Sequence, residues 1–226
     1  MRSEFFSNLN PGLIWEYRFA LLNGLGMTLF LTAFGSISGF LLGLLLAVGA
    51  FSGFAPLRGA IIGFVELWRN TPLLVQLMWV HFALPVITRI PTTSVQSGLL
   101  ALTLGASAYF AEIIRGGINA VPQGQWEAAR ALGLAGRPLW FRVVLPQAFR
   151  IMVPPLVNMV ISIFKATTIL SLLAIPDLMQ VATRISNFTF KPIEVFTFAA
   201  LVYLLLGTAF DLTARRIERH FTRPGV

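Results

Sequence analysis

Residues 123–146 read QGQWEAARALGLAGRPLWFRVVLP. The stretch is polar, basic and helix-forming, and long apolar runs lie on both sides of it. Glu127-Ala128-Ala129 is followed by three residues, then Gly133, then nine residues, then Val143-Val144-Leu145-Pro146. The alanines favour a helix with a small face on which another surface can dock closely. Gly133 permits the turn that ends it. A water-facing helix between apolar runs makes those runs the candidates for membrane spans.

Composition agrees with that division. Of 226 residues 56% are hydrophobic and only 12% charged, whereas a soluble domain carries about 25% charge. The chain has no cysteine, which excludes disulfides and thiolate metal sites. Its two histidines, His81 and His220, stand too far apart in sequence to suggest a metal cluster. No run fits GxxxxGK[ST], so no phosphate-cradling loop is expected here. Nor is there a Ser/His/Asp set, or paired carboxylates with a nucleophile, so no catalytic residues are expected.

Working outward from the central stretch, five spans are expected, at about 20–50, 58–88, 95–115, 150–176 and 192–212, with a loop at about 117–148. Residues 1–18 do not look like a signal peptide. No charge interrupts residues 19–57, more than the ~20 residues that cross a bilayer. Gly35, Gly39, Gly43 and Ala47 recur every four residues in it, a smooth stripe for close helix packing. The second span carries Glu66, Arg69, Thr71-Pro72 and Gln76. Glu66 and Arg69, three apart, can pair on one face, and Pro72 should bend or loosen the helix. Such a polar kink belongs where protein or a watery cavity surrounds it. With no repeat or linker, residues 1–226 form one domain.

The net charge of +8 is explained by topology rather than by nucleic acid. With the central loop in the cytoplasm, ten cations fall inside: Arg58, Arg115, Arg130, Arg137, Arg142, Arg150, Arg215, Arg216, Arg219 and Arg223. Five fall outside: Arg2, Arg18, Arg89, Arg184 and Lys191. This bias predicts an outside N-terminus and a cytoplasmic C-terminus.

The spacing of Glu127-Ala128-Ala129, Gly133 and Leu145-Pro146 resembles the EAA loop of bacterial ABC-importer membrane subunits, with Val143 where the pattern has Ile. Residues 65–77, VELWRNTPLLVQL, and 107–129, SAYFAEIIRGGINAVPQGQWEAA, are similar to the polar-amino-acid branch of those permeases. The resemblance covers almost the whole chain. It implies an all-α membrane protein, five transmembrane helices with a cytoplasmic coupling helix, of the type I ABC importer permease kind. It implies ATPase coupling through Gln125, Glu127, Ala128, Ala129, Leu132 and Gly133. This chain then holds no cofactor, and ATP sits on a partner ATPase. Implied partners are a second permease subunit, identical or paralogous, two ATP-binding subunits, an extracytoplasmic solute-binding protein, an amino acid substrate and the lipid bilayer. The setting is a bacterial inner membrane.

The intramembrane charges Glu66, Arg69, Glu112 and Lys165 each cost roughly 2.5–3.5 kcal/mol near a helix centre and call for partners or water. Glu66–Arg69 and Glu112–Arg115 can be structural pairs. Lys165 has no acid within a helical turn. In the resembling permeases a K-[D/N]-T-S-L stretch lies beside the translocation path; here it reads Lys165-Ala166-Thr167-Thr168-Ile169-Leu170, without the acid or amide. Lys165, Thr167, Thr168, Thr71 and Gln76 form a candidate donor patch for a carboxylate, with Glu66 for the amine and Arg69 and Glu112 beside the path. Alternatively, the threonines satisfy helix carbonyls. The patch favours acidic or neutral amino acids. Other readings are a permease for another small polar solute (an opine or compatible solute), or a passive channel or secondary transporter, against which the EAA spacing argues.

Overall fold

The computed structural model describes residues 12–221, with side chains to Arg219. Arg2, Arg223 and the His220 side chain, named above, lie outside the described residues. The described chain is helical throughout: α1 (Gly12–Glu16), α2 (Arg18–Ala50), α3 (Ala55–Arg69), α4 (Leu73–Thr88), α5 (Ser94–Asn119), α6 (Gln123–Ala131), α7 (Arg137–Leu173), α8 (Leu178–Thr189) and α9 (Pro192–Phe221). Helices α2, α5, α7 and α9 are long and apolar enough to cross a membrane. The broken pair α3–α4, bent by 107°, counted as one span, makes five and stands second in chain order.

The glycine stripe is the seam between α2 and α5. Gly35, Gly39, Gly43 and Ala47 are buried, and a Cβ added at Gly39 would stand 2.6 Å from the Ala106 Cβ. At Gly43 it would meet the Phe110 Cβ at 2.7 Å and the Ser107 carbonyl oxygen at 2.8 Å. Phe40 meets the Phe110 ring edge-on at 5.7 Å beside this seam. Small residues let the two backbones approach, so dispersion contacts replace the hydrophobic drive that lipid removes. Helix α5 starts with a capping box: the Thr93 hydroxyl accepts from the Gln96 amide, and the Gln96 side chain accepts from the Thr93 amide.

Proline shapes the remaining spans. Pro72 lacks an amide hydrogen, and the helix stops at Arg69 and restarts at Leu73. The Gln76 side-chain amide donates to Trp68 O at 2.5 Å and Thr71 O at 2.9 Å, satisfying two carbonyls that the break frees. Wide π-type turns occupy Trp79–Ala83 and Trp140–Val144. Each lies just before a proline, Pro85 and Pro146, whose ring would clash with the carbonyl four residues back in a regular helix.

Two features differ from the sequence reading. Helix α7 begins at Arg137, well inside the expected loop, and runs unbroken through Pro154 and Pro155. Between the fourth and fifth spans stands α8, which was not anticipated. Asp177 caps it, its carboxylate accepting from the Gln180 amide at 2.8 Å. Burial pushes the Asp177 carboxyl up to about 6, against the opposing pull of backbone amides. The Leu178 amide donates to the buried Thr28 hydroxyl at 3.0 Å, which ties α8 to α2.

Candidate functional site

The break in the second span opens a cavity of about 390 Å³ against α5 and α7. Its polar lining is Thr71 and Gln76 beside the break, Tyr109 on α5 and Ser162 on α7, among apolar side chains. The bare backbone of Gly105 lets Gln76 lie close against α5, where an added Cβ would stand 2.9 Å from Gln76 Oε1. That oxygen is buried and has no hydrogen-bond partner among the described residues. An unmet buried acceptor costs about 1–3 kcal/mol, so a donor brought to it is favoured.

Every hydroxyl in this lining gives its hydrogen to a backbone carbonyl. Thr71 donates to Leu67 O, Tyr109 to Arg69 O at 3.2 Å and Ser162 to Asn158 O at 3.0 Å. The Gln76 amide is committed as described. The polar wall therefore has lone pairs to offer and no free donor. That matches an ammonium group rather than a carboxylate.

The charged residues form a second cleft of about 250 Å³ between α2, α3 and α5. Glu66, Arg69, Glu112 and Arg115 line it together with apolar residues of α2 and α3. Arg115 holds Glu112 through two bonds, Nε to Oε2 at 2.9 Å and Nη2 to Oε1 at 2.6 Å. Arg69 reaches Glu112 more loosely, at 3.6 Å, and its guanidinium lies 5.9 Å from the Tyr109 ring centre. Arg69 thus pairs across to α5 rather than with Glu66, its neighbour along the helix. Glu66 is exposed and makes no ion pair among the described residues.

The structure does not join these two groups to Lys165. That side chain is exposed and lines neither cavity, although its neighbour Ala166 lines the first. Thr167 is buried and donates to Phe164 O, while Thr168 donates to Lys165 O, both at 2.8 Å. These hydroxyls serve helix carbonyls. The sequence reading missed Ser162, Gly105 and Tyr109. A helical-spacing search would find them, because Gly105–Tyr109 and Ser162–Ala166 are each four apart and so share a helix face.

Helix α6 ends in a Schellman motif. Gly133 has φ 73°, the Gly133 amide donates to Arg130 O at 2.9 Å and the Leu134 amide to Ala129 O at 3.0 Å. The coupling candidates divide between two faces. Ala129 is 4% exposed and packs inward beside Trp126, whose ring meets Trp140 edge-on at 5.4 Å. Gln125, Glu127, Ala128 and Leu132 face outward, Leu132 being 81% exposed. Gln125 also accepts from the Gln147 amide at 3.3 Å, which fixes α6 against α7.

Comparison with known proteins gives the family and the fold. Residues 39–223 match the family described as binding-protein-dependent transport system inner membrane component. The chain is 34% identical over 199 residues to the arginine transport system permease protein ArtQ of Bacillus subtilis (strain 168), covering 88% of this chain and 91% of that one. It is 32% identical over 206 residues to the glutamate/aspartate import permease protein GltK of Escherichia coli O6:H1, covering 88% and 92%. The crystal structure of an amino acid ABC transporter with histidines matches with a TM-score of 0.88 at 33% identity, covering 92% of this chain and 96% of that chain. The chain therefore belongs to the binding-protein-dependent transport system inner membrane components, and its fold is that of a type I ABC importer permease.

Proposed function

We propose that the chain is the permease subunit of an ATP-driven importer for polar amino acids, with neutral side chains preferred. The observation that carries this reading is the cavity at the break of the second span, whose polar wall presents acceptors alone. An amino acid's ammonium group fits such a wall. An arginine or lysine side chain would find no carboxylate in the lining to offset its charge, and an acidic side chain would need Lys165 to turn toward the cavity. The relatives above bear names that include both arginine and glutamate, which supports the class and leaves the side chain to the cavity.

The rest of the machine follows from the resemblance. A second permease subunit, identical or paralogous, completes the membrane path. ATPases dock on the outward face of α6 and hold the ATP, and a solute-binding protein delivers substrate from outside. The N-terminus lies outside and the C-terminus in the cytoplasm of an inner membrane.

Ala166→Trp tests the cavity, since an indole there occupies the space between α7 and the break. Uptake by the reconstituted complex should fall at least about tenfold while basal ATP hydrolysis persists, as expected when a ligand's volume is blocked. Unchanged uptake would refute the cavity, and a wild-type complex that carries arginine but neither glutamine nor glutamate would refute the side-chain preference.

Orientation has its own test, eased by the absence of native cysteines. A cysteine at exposed Asn187 on α8 should react with an impermeant thiol reagent from outside. One at exposed Gln125 on α6 should react only after permeabilisation. Gly136 is unsuitable for this purpose, because its φ of 58° strains any other residue. The reverse labelling pattern would overturn both the topology and the ATPase docking.

A further inference from the structure

The charged cleft is a cluster of ionisable groups that the cavity reading leaves unused. Its four members are two acids and two bases, so it is neutral overall, with both bases on Glu112 and Glu66 left outside the pairing. It is also the cavity's neighbour along α5, joined to it through the contact between Tyr109 and Arg69. Gly105 and Tyr109 line the cavity, Glu112 lines the cleft, and Gly116 beyond it has nothing within 4 Å of a built Cβ. Spaced by four, three and four, these residues form one stripe down α5. The stripe runs toward α6, the end assigned to the cytoplasm. Tyr109 is the partition, lining the cavity while its hydroxyl bonds Arg69 O and its ring faces the Arg69 guanidinium.

We propose that the Glu66–Arg69 cleft is an exit station for the amino acid, which takes the carboxylate on Arg69 and the ammonium on Glu66 as the substrate leaves the cavity. The inference rests on the proposed function. The cavity supplies acceptors for the ammonium but no donor for the carboxylate, and Arg69 is the nearest base past the partition. Arg69 is held loosely enough to serve. Its 3.6 Å contact with Glu112 is longer than either Arg115 bond, and Arg115 still neutralises Glu112 when Arg69 turns away. Glu66 lies one helical turn from Arg69 on the same wall, exposed and without an ion pair among the described residues. Arg115 and Glu112 are the other charged groups in the lining. Glu112 holds Arg69 through the 3.6 Å contact, Arg115 holds Glu112, and neither is assigned to substrate.

The test uses the complete transporter in liposomes with its binding protein saturated by glutamine. It compares Glu66→Gln, Arg69→Gln and Arg69→Lys with wild type. Three quantities are read: initial uptake, radiolabelled glutamine retained by the detergent-solubilised complex, and melting temperature. The first two variants should slow uptake roughly tenfold or more, the scale expected on truncating one member of a charge pair. Retained glutamine and melting temperature should stay near wild type, and Arg69→Lys should recover part of the rate. Uptake equal to wild type in Glu66→Gln overturns the station. So does an Arg69→Gln loss matched by a lower melting temperature, which would make Arg69 only a bracket for the broken span. Failure of the wild-type complex to retain glutamine at all would instead overturn the cavity reading, and the station with it.

Discussion

Uptake through a reconstituted complex carrying Gly133→Leu is expected to fall at least about tenfold, with the protein still inserted and its helix content unchanged. Gly133 holds the left-handed position of the Schellman motif at φ 73°. A side chain there costs about 1–2 kcal/mol, which is roughly a five- to thirtyfold shift in the population of the correctly ended helix. The sum is too small to unfold five packed spans but large enough to displace the end of α6. Exposed Leu132 immediately precedes the turn, so its position relative to Glu127 and Ala128 depends on that backbone. A displaced Leu132 should weaken ATPase attachment or leave hydrolysis running without uptake. Co-purification of the ATP-binding chain and the ratio of hydrolysis to uptake separate those outcomes. Full uptake in the variant would remove the coupling role from this turn.

A second large effect is expected at the α2–α5 seam. Gly43→Leu places a side chain where a single Cβ would already stand within 3 Å of two fixed atoms, the Phe110 Cβ and the Ser107 carbonyl oxygen. Neither is the far end of a flexible side chain, so the helices must separate. Overpacking of this kind costs typically 1–3 kcal/mol. For a chain of this size that lowers the melting temperature by roughly 2–12 °C. Gly26→Leu on the same helix is the control, because nothing lies within 4 Å of a Cβ built there. Equal melting temperatures for the two variants would show that the seam does not hold the spans together.

These two sites show what could be read from the chain alone. Four-residue glycine spacing and the Glu127–Gly133 pattern encode local geometry, and each corresponds to a feature that the structure contains. The partner of Arg69 could not be read the same way. Spacing along one helix offers Glu66, but the 107° bend just beyond Arg69 turns that helix end toward α5 and Glu112. The donor patch had the same difficulty. Threonine side chains look available in a sequence, and only coordinates show that the hydroxyls of Thr71, Thr167 and Thr168 are already bonded to carbonyls one turn back. Helix α8 escaped notice because its capping signal, Asp177, sits directly after an apolar run and next to Pro176, where an ordinary loop would also fit.

The wide turn at Trp140–Val144 has a consequence some distance from itself. A turn of this type accommodates one residue more than an α-turn, and each residue advances a helix by about 100°. Every position of α7 beyond Pro146 is therefore rotated by about one such step from where a uniform helix from Arg137 would put it. Ser162 and Ala166 face the cavity by virtue of that phase offset, set some twenty residues earlier beside α6. The same offset works in reverse: winding the turn tight would swing Ser162 and Ala166 off the cavity wall without bending the helix. A rotary element of this kind would carry a push on α6 to the cavity wall as torsion rather than as a tilt of the span.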